Sequence, residues 1–117
     1  MMNNRHLQVT KSEDVLVVRF LDRSLAGDLP DQLGEELRGV ADQENCTRLL
    51  LNFSGVDFLT IDMLGKVLQL NKRMQQRGGK LTLCEVCSYV RDILVVTKLD
   101  SIIAVKDTES DGLRACA

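Results

Sequence analysis

Tryptophan is absent and aromatic residues make up 3% of the chain, which argues against base-stacking platforms and carbohydrate-type aromatic clefts. Histidine occurs once, as His6 in a terminus or edge strand, so a serine or cysteine nucleophile elsewhere has no nearby imidazole base. No G-x-G-x-x-G and no P-loop lies between a strand and a helix; Gly78-Gly79 ends a helix instead of opening one onto a phosphate. Excess charge of one sign is also missing. Fifteen Lys+Arg stand against seventeen Asp+Glu, a net charge of -2, too weak a field to gather nucleic acid or acidic membrane. No run is long and apolar enough to span a bilayer, and the opening MMNNRHLQVTKSEDV has no signal-type apolar core, so a cytoplasmic location is expected. The four cysteines, Cys46, Cys84, Cys87 and Cys116, are then expected to stay reduced. Cys84 and Cys87 form a C-x-x-C pair with no second pair and no neighbouring histidine, which reads as strand-end packing before metal or redox chemistry. Asp22, Asp28, Asp31, Asp57, Asp62 and Asp100 are scattered through turns and helix starts, where capping and solubility account for them. No metal, no cofactor, no catalytic residue and no enzyme activity are therefore expected.

What is present is a normal globular composition, 44% hydrophobic and 27% charged, over 117 residues, enough for one domain with a core. HLQVTKSEDVLVVRFL reads as two strands around a polar turn at Lys11 to Asp14. In the segment after it, Asp28, Pro30 and Asp31 suit a helix start, with Leu29, Leu33, Leu37 and Ala41 at helical spacing and Gly34 and Gly39 weakening it. Leu49 to Phe53 is an unbroken apolar run, the mark of a central strand buried on both faces. A helix with Met63, Leu64, Val67, Leu68 and Met74 on its apolar face follows and stops at Arg77-Gly78-Gly79. KLTLCEV is the next strand. SYVRDILVVTKL is a short helix with Ser88 as N-cap and Tyr89, Ile93 and Val96 apolar. SIIAVKD is a last strand, and TESDGLRACA, from about residue 108, a terminal helical turn or tail. Helices returning between strands predict one α/β domain over residues 1–117. Its sheet is mixed and mostly parallel, with an antiparallel N-terminal edge and helices packed against it.

The stretch SGVDFLTIDMLGKVLQLNKR joins the central strand to its helix. Such a turn is where open α/β sheets place their contacts, and the unsatisfied N–H groups of the first helical turn favour negative charge there. A phosphoryl group on a hydroxyl at this point would change the surface by nearly two charges.

At these residues the chain resembles the STAS domain family, the bacterial anti-sigma-factor antagonists. The pieces that carry the resemblance are LLLNFSGVDFLT, LGKVLQLNKR, GGKLTLCEV and ILVVTKLDSIIAV, with LGEEL before them. The resemblance implies a partner-switching regulator of transcription. Its partner would be an anti-sigma factor, or a serine kinase of the histidine-kinase-like ATPase type that phosphorylates a serine at the helix N-terminus. The family's acceptor lies in an Asp-Ser-Ser-Gly-Leu-Gly-like run. Registered on Leu64-Gly65, Thr60 falls at the aspartate, Ile61 at the acceptor serine, Asp62 at the second serine and Met63 at the glycine.

Ile61 has no hydroxyl, and three readings follow. Thr60, one residue earlier, is the phosphoacceptor candidate, against its plainer use as an N-cap. Asp62 imitates a phosphorylated state, against its plainer use at a helix N-terminus, paired with Lys66 one turn on. The preferred reading is a partner-binding module that does not switch at the usual position. Phe58, Leu59, Ile61 and Met63 then offer an apolar contact ringed by Asp57, Thr60, Asp62 and Lys66, the loop Asp22–Asp28 adding to it. The competing account turns Phe58 and Met63 into the core. On the preferred reading Ile61→Glu or Met63→Arg weakens partner binding with the fold intact. The alternative function is a STAS accessory or scaffold subunit docking to a signalling assembly or a transporter.

Overall fold

The computed structural model describes residues 6–43 and 46–116, so the expected domain limits at 1 and 117 lie outside the described residues. The chain opens with a hairpin of β1 (Leu7–Ser12) and β2 (Val15–Phe20), paired from Leu7↔Phe20 to Ser12↔Val15. The turn is tighter than the sequence suggests. β1 continues through Lys11 and Ser12, and Glu13, at φ 55°, reverses the chain. β2 ends in a short loop that carries β3 (Ser24–Leu25) before α1 (Leu29–Gln43). β4 (Arg48–Asn52), β5 (Phe58–Leu59), α2 (Ile61–Gln76), β6 (Lys80–Cys84) and α3 (Ser88–Val96) follow. A 3₁₀ turn at Leu99–Ser101, β7 (Ala104–Lys106) and α4 (Glu109–Cys116) complete it.

The main sheet has the order β1-β2-β4-β6-β7. Only the β1–β2 pair is antiparallel; β4 lies in parallel register with β2 (Leu16↔Leu49) and with β6 (Leu50↔Thr82), and β6 with β7 (Leu83↔Val105). The central place of β4 follows from its composition: Leu49, Leu50 and Leu51 are all buried, and alternate side chains must enter opposite layers. Leu49 and Leu51 join the larger core with Val18, Phe20, Leu33, Leu37, Met63, Val67, Met74, Val90 and Leu94. Leu50 points the other way, into a smaller layer with Val15, Val17, Cys84 and Cys116. α1 runs through Gly34 and Gly39 because Leu33, Leu37, Val40 and Ala41 bury one stripe, and that packing outweighs the weak propensity of two glycines. α2 ends as expected. Gly78 takes φ 74° and the Gly79 N–H donates to the Met74 carbonyl at 2.7 Å, closing the helix.

α4 is the element the sequence left open between tail and helix. It docks on the second face of the sheet, where Gly112 lets its backbone press against Leu50; a Cβ at that position would lie 2.7 Å from Leu50 Cδ1. The larger core is thereby covered by helices on one side of the sheet and the smaller layer by α4 on the other.

Candidate functional site

Parallel strands β2, β4 and β6 point their C-terminal ends to one edge of the sheet, and the corner between β4 and α2 sits there. It is more constrained than a plain turn. β5 pairs in parallel with β3, Ser24↔Phe58 and Leu25↔Leu59, so the Asp22–Asp28 loop is laced to the corner. The Asp57 N–H donates to the Arg23 carbonyl at 2.8 Å and the Thr60 N–H to the Leu25 carbonyl at 3.2 Å. The Arg23 guanidinium adds two bonds to the Asp57 carboxylate, at 2.9 and 2.6 Å. His6 joins the same loop, its Nδ1 lying 2.7 Å from Asp22 Oδ2.

Thr60 is the N-cap of α2. Its backbone is extended, φ −97° and ψ 167°, and its Oγ1 accepts from the Met63 N–H at 3.4 Å. The helix begins at Ile61, whose side chain is 66% exposed, and Phe58 is 41% exposed. The other two apolar residues expected in the contact are not at the surface. Leu59 is 1% exposed and Met63 0%. Strand alternation puts Phe58 and Leu59 on opposite sides of β5. Met63 is two residues beyond Ile61, about 200° around the helix, and lies on the inward stripe with Val67, Leu70 and Met74. Lys66 also departs from expectation. Its Nζ pairs with Asp31 Oδ1 of α1 at 3.0 Å, not with Asp62. α1 lies alongside α2 and offers a carboxylate that helical spacing within one sequence segment cannot reveal. Asp57 and Asp62 are exposed at the corner.

Helix α3 completes the surface, and this was not foreseen. The sequence marks Tyr89, Ile93 and Val96 as its apolar positions, yet Val90 and Leu94 fill the core and Tyr89 and Val96 stand outside, Val96 at 81% exposure. Two apolar stripes share this short helix, and only one can meet the sheet. The outward stripe repeats at positions 89, 92, 93 and 96, one face of a helix. Tyr89 stacks on Phe58 with ring centroids 5.4 Å apart and planes 22° from parallel. Ile61, Tyr89, Asp92, Ile93, Val96 and Thr97 line an open groove of about 280 Å³. The helix starts at Ser88, and Cys87, not Ser88, is its N-cap, without a side-chain bond to the helix. Cys87 Sγ instead lies 3.7 Å from the Asp57 carbonyl, tying α3 to the corner.

Of the C-x-x-C pair, Cys84 is fully buried and Cys87 half-buried. Burial pushes the Cys84 thiol up to about 12, with the nearby Glu109 and Glu85 charges adding to the rise. Burial also raises Cys46. A thiol so far from ionising is a poor nucleophile and metal ligand at neutral pH. Among the described residues no group of three or more His, Cys, Asp or Glu side chains converges to hold a metal ion, and no helix is long and apolar enough to cross a membrane. The corner offers an apolar surface beside a helix N-terminus, an arrangement suited to binding.

The STAS domain family model matches residues 6–112. An anti-sigma F factor antagonist of Paenibacillus polymyxa is 25% identical over 114 residues, covering 94% of this chain and 93% of the relative. The structure of an anti-sigma-factor antagonist (STAS) domain protein from Planctomyces limnophilus is similar with a TM-score of 0.83 at 25% identity, over 95% of this chain and 97% of that one. An anti-sigma factor antagonist from Mycobacterium paratuberculosis shares the fold with a TM-score of 0.83 at 19% identity, over 94% and 92% of the two chains. With nearly all of its described length matched, the chain belongs to the STAS domain family.

Proposed function

We propose that the protein is an anti-anti-sigma-type regulator that binds an anti-sigma factor, or a serine kinase of the histidine-kinase-like ATPase type, through the β5–α2 corner. On this reading the protein acts in the cytoplasm by protein–protein contact and not by catalysis. The contact consists of Phe58 and Ile61, with Asp57, Thr60 and Asp62 at its rim. Leu59, Met63 and Lys66 support it from behind. The relative from Paenibacillus polymyxa, named for antagonism of an anti-sigma factor, supports the class of partner.

The observation that carries the proposal is Ile61 itself. It is a large apolar side chain, two-thirds exposed, at the first residue of α2, where the family resemblance places the acceptor hydroxyl. The adjacent Thr60 hydroxyl is occupied as the helix cap, so its modification would remove a bond that holds the helix start. The contact is therefore read as one that does not switch by phosphorylation at position 61.

The test uses the full chain and the anti-sigma factors and kinases of this type encoded in the host, each purified. One of them is expected to bind in the presence of ATP without transferring phosphate, and Ile61→Glu is expected to weaken that complex about tenfold or more, as for a central apolar anchor. Ile61→Ser is expected to create an acceptor for a kinase partner. Phosphate on wild-type Thr60 accompanied by loss of the complex would overturn the non-switching reading, and undiminished binding by Ile61→Glu would overturn the surface.

A further inference from the structure

We infer that the groove between the first turn of α2 and the outward face of α3 receives a large apolar side chain of a protein partner, carried on a segment with Lys or Arg beside it. The inference rests on the reading of the corner as a partner contact and states what chemistry the partner must present.

The groove is not a by-product of packing. Val90 and Leu94 already join α3 to the core, and polar side chains at 89 and 96 would leave that joint unchanged. Its walls are hydrocarbon from Ile61, Tyr89, Ile93 and Val96. The Thr97 hydroxyl donates to the Ile93 carbonyl at 2.7 Å, so it offers no free donor to an occupant. The Tyr89 ring is held by its stack on Phe58, which makes the groove continuous with the apolar surface of the corner. A volume of about 280 Å³ falls just below the roughly 300–1,000 Å³ of small-molecule sites and suits one or two inserted side chains.

Charge selects the occupant's neighbours. Asp92 lines the groove and Asp62 follows Ile61; both are exposed, and neither belongs to an ion pair among the described residues. The nearby arginines are already engaged, Arg23 with Asp57 at 2.6 Å and Arg91 with Asp107 at 2.9 Å. Lys98, just beyond Thr97, is the remaining cation of this stretch; the negative potential at the carbonyl end of α3 is set against the positive potential of the α2 N-terminus at Ile61, which leaves the side-chain charges to decide. Two carboxylates against one ammonium favour a cationic surround and disfavour nucleic acid or an acidic membrane.

The experiment is selection of phage-displayed random peptides on the full chain, with counterselection on Val96→Asp. Enriched peptides are expected to carry Leu, Ile, Met, Phe or Trp with Lys or Arg within one helical turn. One such peptide, synthesised, is expected to shift the amide resonances of Ile61, Tyr89 and Val96. Its affinity is expected to fall about tenfold or more in Val96→Asp, and to fall in Asp92→Lys at low salt with the difference shrinking as salt is added. Both substituted positions are exposed, and urea unfolding of each variant checks that the fold is kept. No enrichment, acidic or uncharged flanks, or binding indifferent to Val96→Asp would overturn the inference. Its failure is distinguishable from failure of the underlying reading. If the groove alone is wrong, the anti-sigma-type partner still responds to Ile61→Glu but not to Val96→Asp. If the corner is wrong, it responds to neither.

Discussion

Ile61 and Met63 are both apolar, two positions apart at the start of α2, and their substitutions are expected to diverge completely. Met63→Arg places an unpaired guanidinium in the core beside Val67 and Leu70 and is expected to cost more than about 4 kcal/mol, enough to leave many small domains unfolded. It therefore reports on folding and not on binding. Ile61→Glu removes an exposed side chain and adds a carboxylate at a helix N-terminus, so stability should stay within about 0.5 kcal/mol of wild type. Urea denaturation at neutral pH measures both, and a comparable loss in the two variants would show that Ile61 is packed. The sequence contained this distinction only in part. Met63, Val67 and Met74 fall on one helical stripe, which marks Met63 as inward. Four apolar letters among six consecutive residues, Phe58, Leu59, Ile61 and Met63, suggested a shared surface that strand alternation and helical rotation both forbid.

At the scale of elements, periodicity found every long one and failed where two answers fit the same letters. α3 carries stripes at 90 and 94 and at 89, 93 and 96, and only the position of the sheet decides which is inward. The two-residue strands β3 and β5 are too short for any pattern and exist because the Arg23 and Leu25 carbonyls meet the 57–60 backbone. α4 is held by contacts equally invisible in sequence. Asn52, buried at the end of β4, donates from Nδ2 to Glu109 Oε1 at 2.7 Å and accepts from the Ser54 N–H at 2.8 Å. Glu85 Oε2 accepts from the Glu109 N–H at 2.9 Å, and Lys80 Nζ donates to the Ala115 carbonyl at 2.8 Å, so both ends of α4 are tied to the sheet. Asn52 thus joins α4 to the turn that leads into the corner. Glu109→Ala leaves the buried Asn52 amide without its acceptor and is expected to cost about 1–3 kcal/mol. Hydrogen exchange is expected to show faster exchange at Ser54 and through α4 while the middle of α2 stays protected. Glu109→Gln, which keeps an acceptor, should lose less. Unchanged protection at Ser54 would show that Asn52 does not couple the two.

For the molecule as a whole, strand order and helix order were legible because each rests on local composition: β-branched and leucine-rich runs for strands, 3.6-residue stripes and glycine stops for helices. What closes the architecture is long-range and charged. At the end of the fold opposite the corner, Arg73 donates to the Asp42 carboxylate at 3.1 and 2.6 Å, joining the last turns of α1 and α2. Arg77 bonds the same carboxylate and also reaches the Ala41 and Cys46 carbonyls at 2.9 and 3.0 Å. The sequence marked Arg77 only as part of a helix stop and gave Asp42 no role. The hydrogen bond from Arg73, with help from Arg77 and against some desolvation, holds the Asp42 carboxyl at about 2, below its ordinary 3.8. Between these values the unfolded chain binds more protons than the folded one, so this contribution to stability is present above about pH 4 and fades as pH falls toward about 2. The pair is partly solvated, so the contribution is screened and should shrink with added salt. Asp42→Asn removes it. Urea midpoints measured from pH 5 to pH 2 are expected to fall more steeply for wild type than for Asp42→Asn, with the two lines converging at the acid end. Parallel lines would mean that the arginine clamp contributes nothing that titrates and that packing alone joins the two helix ends.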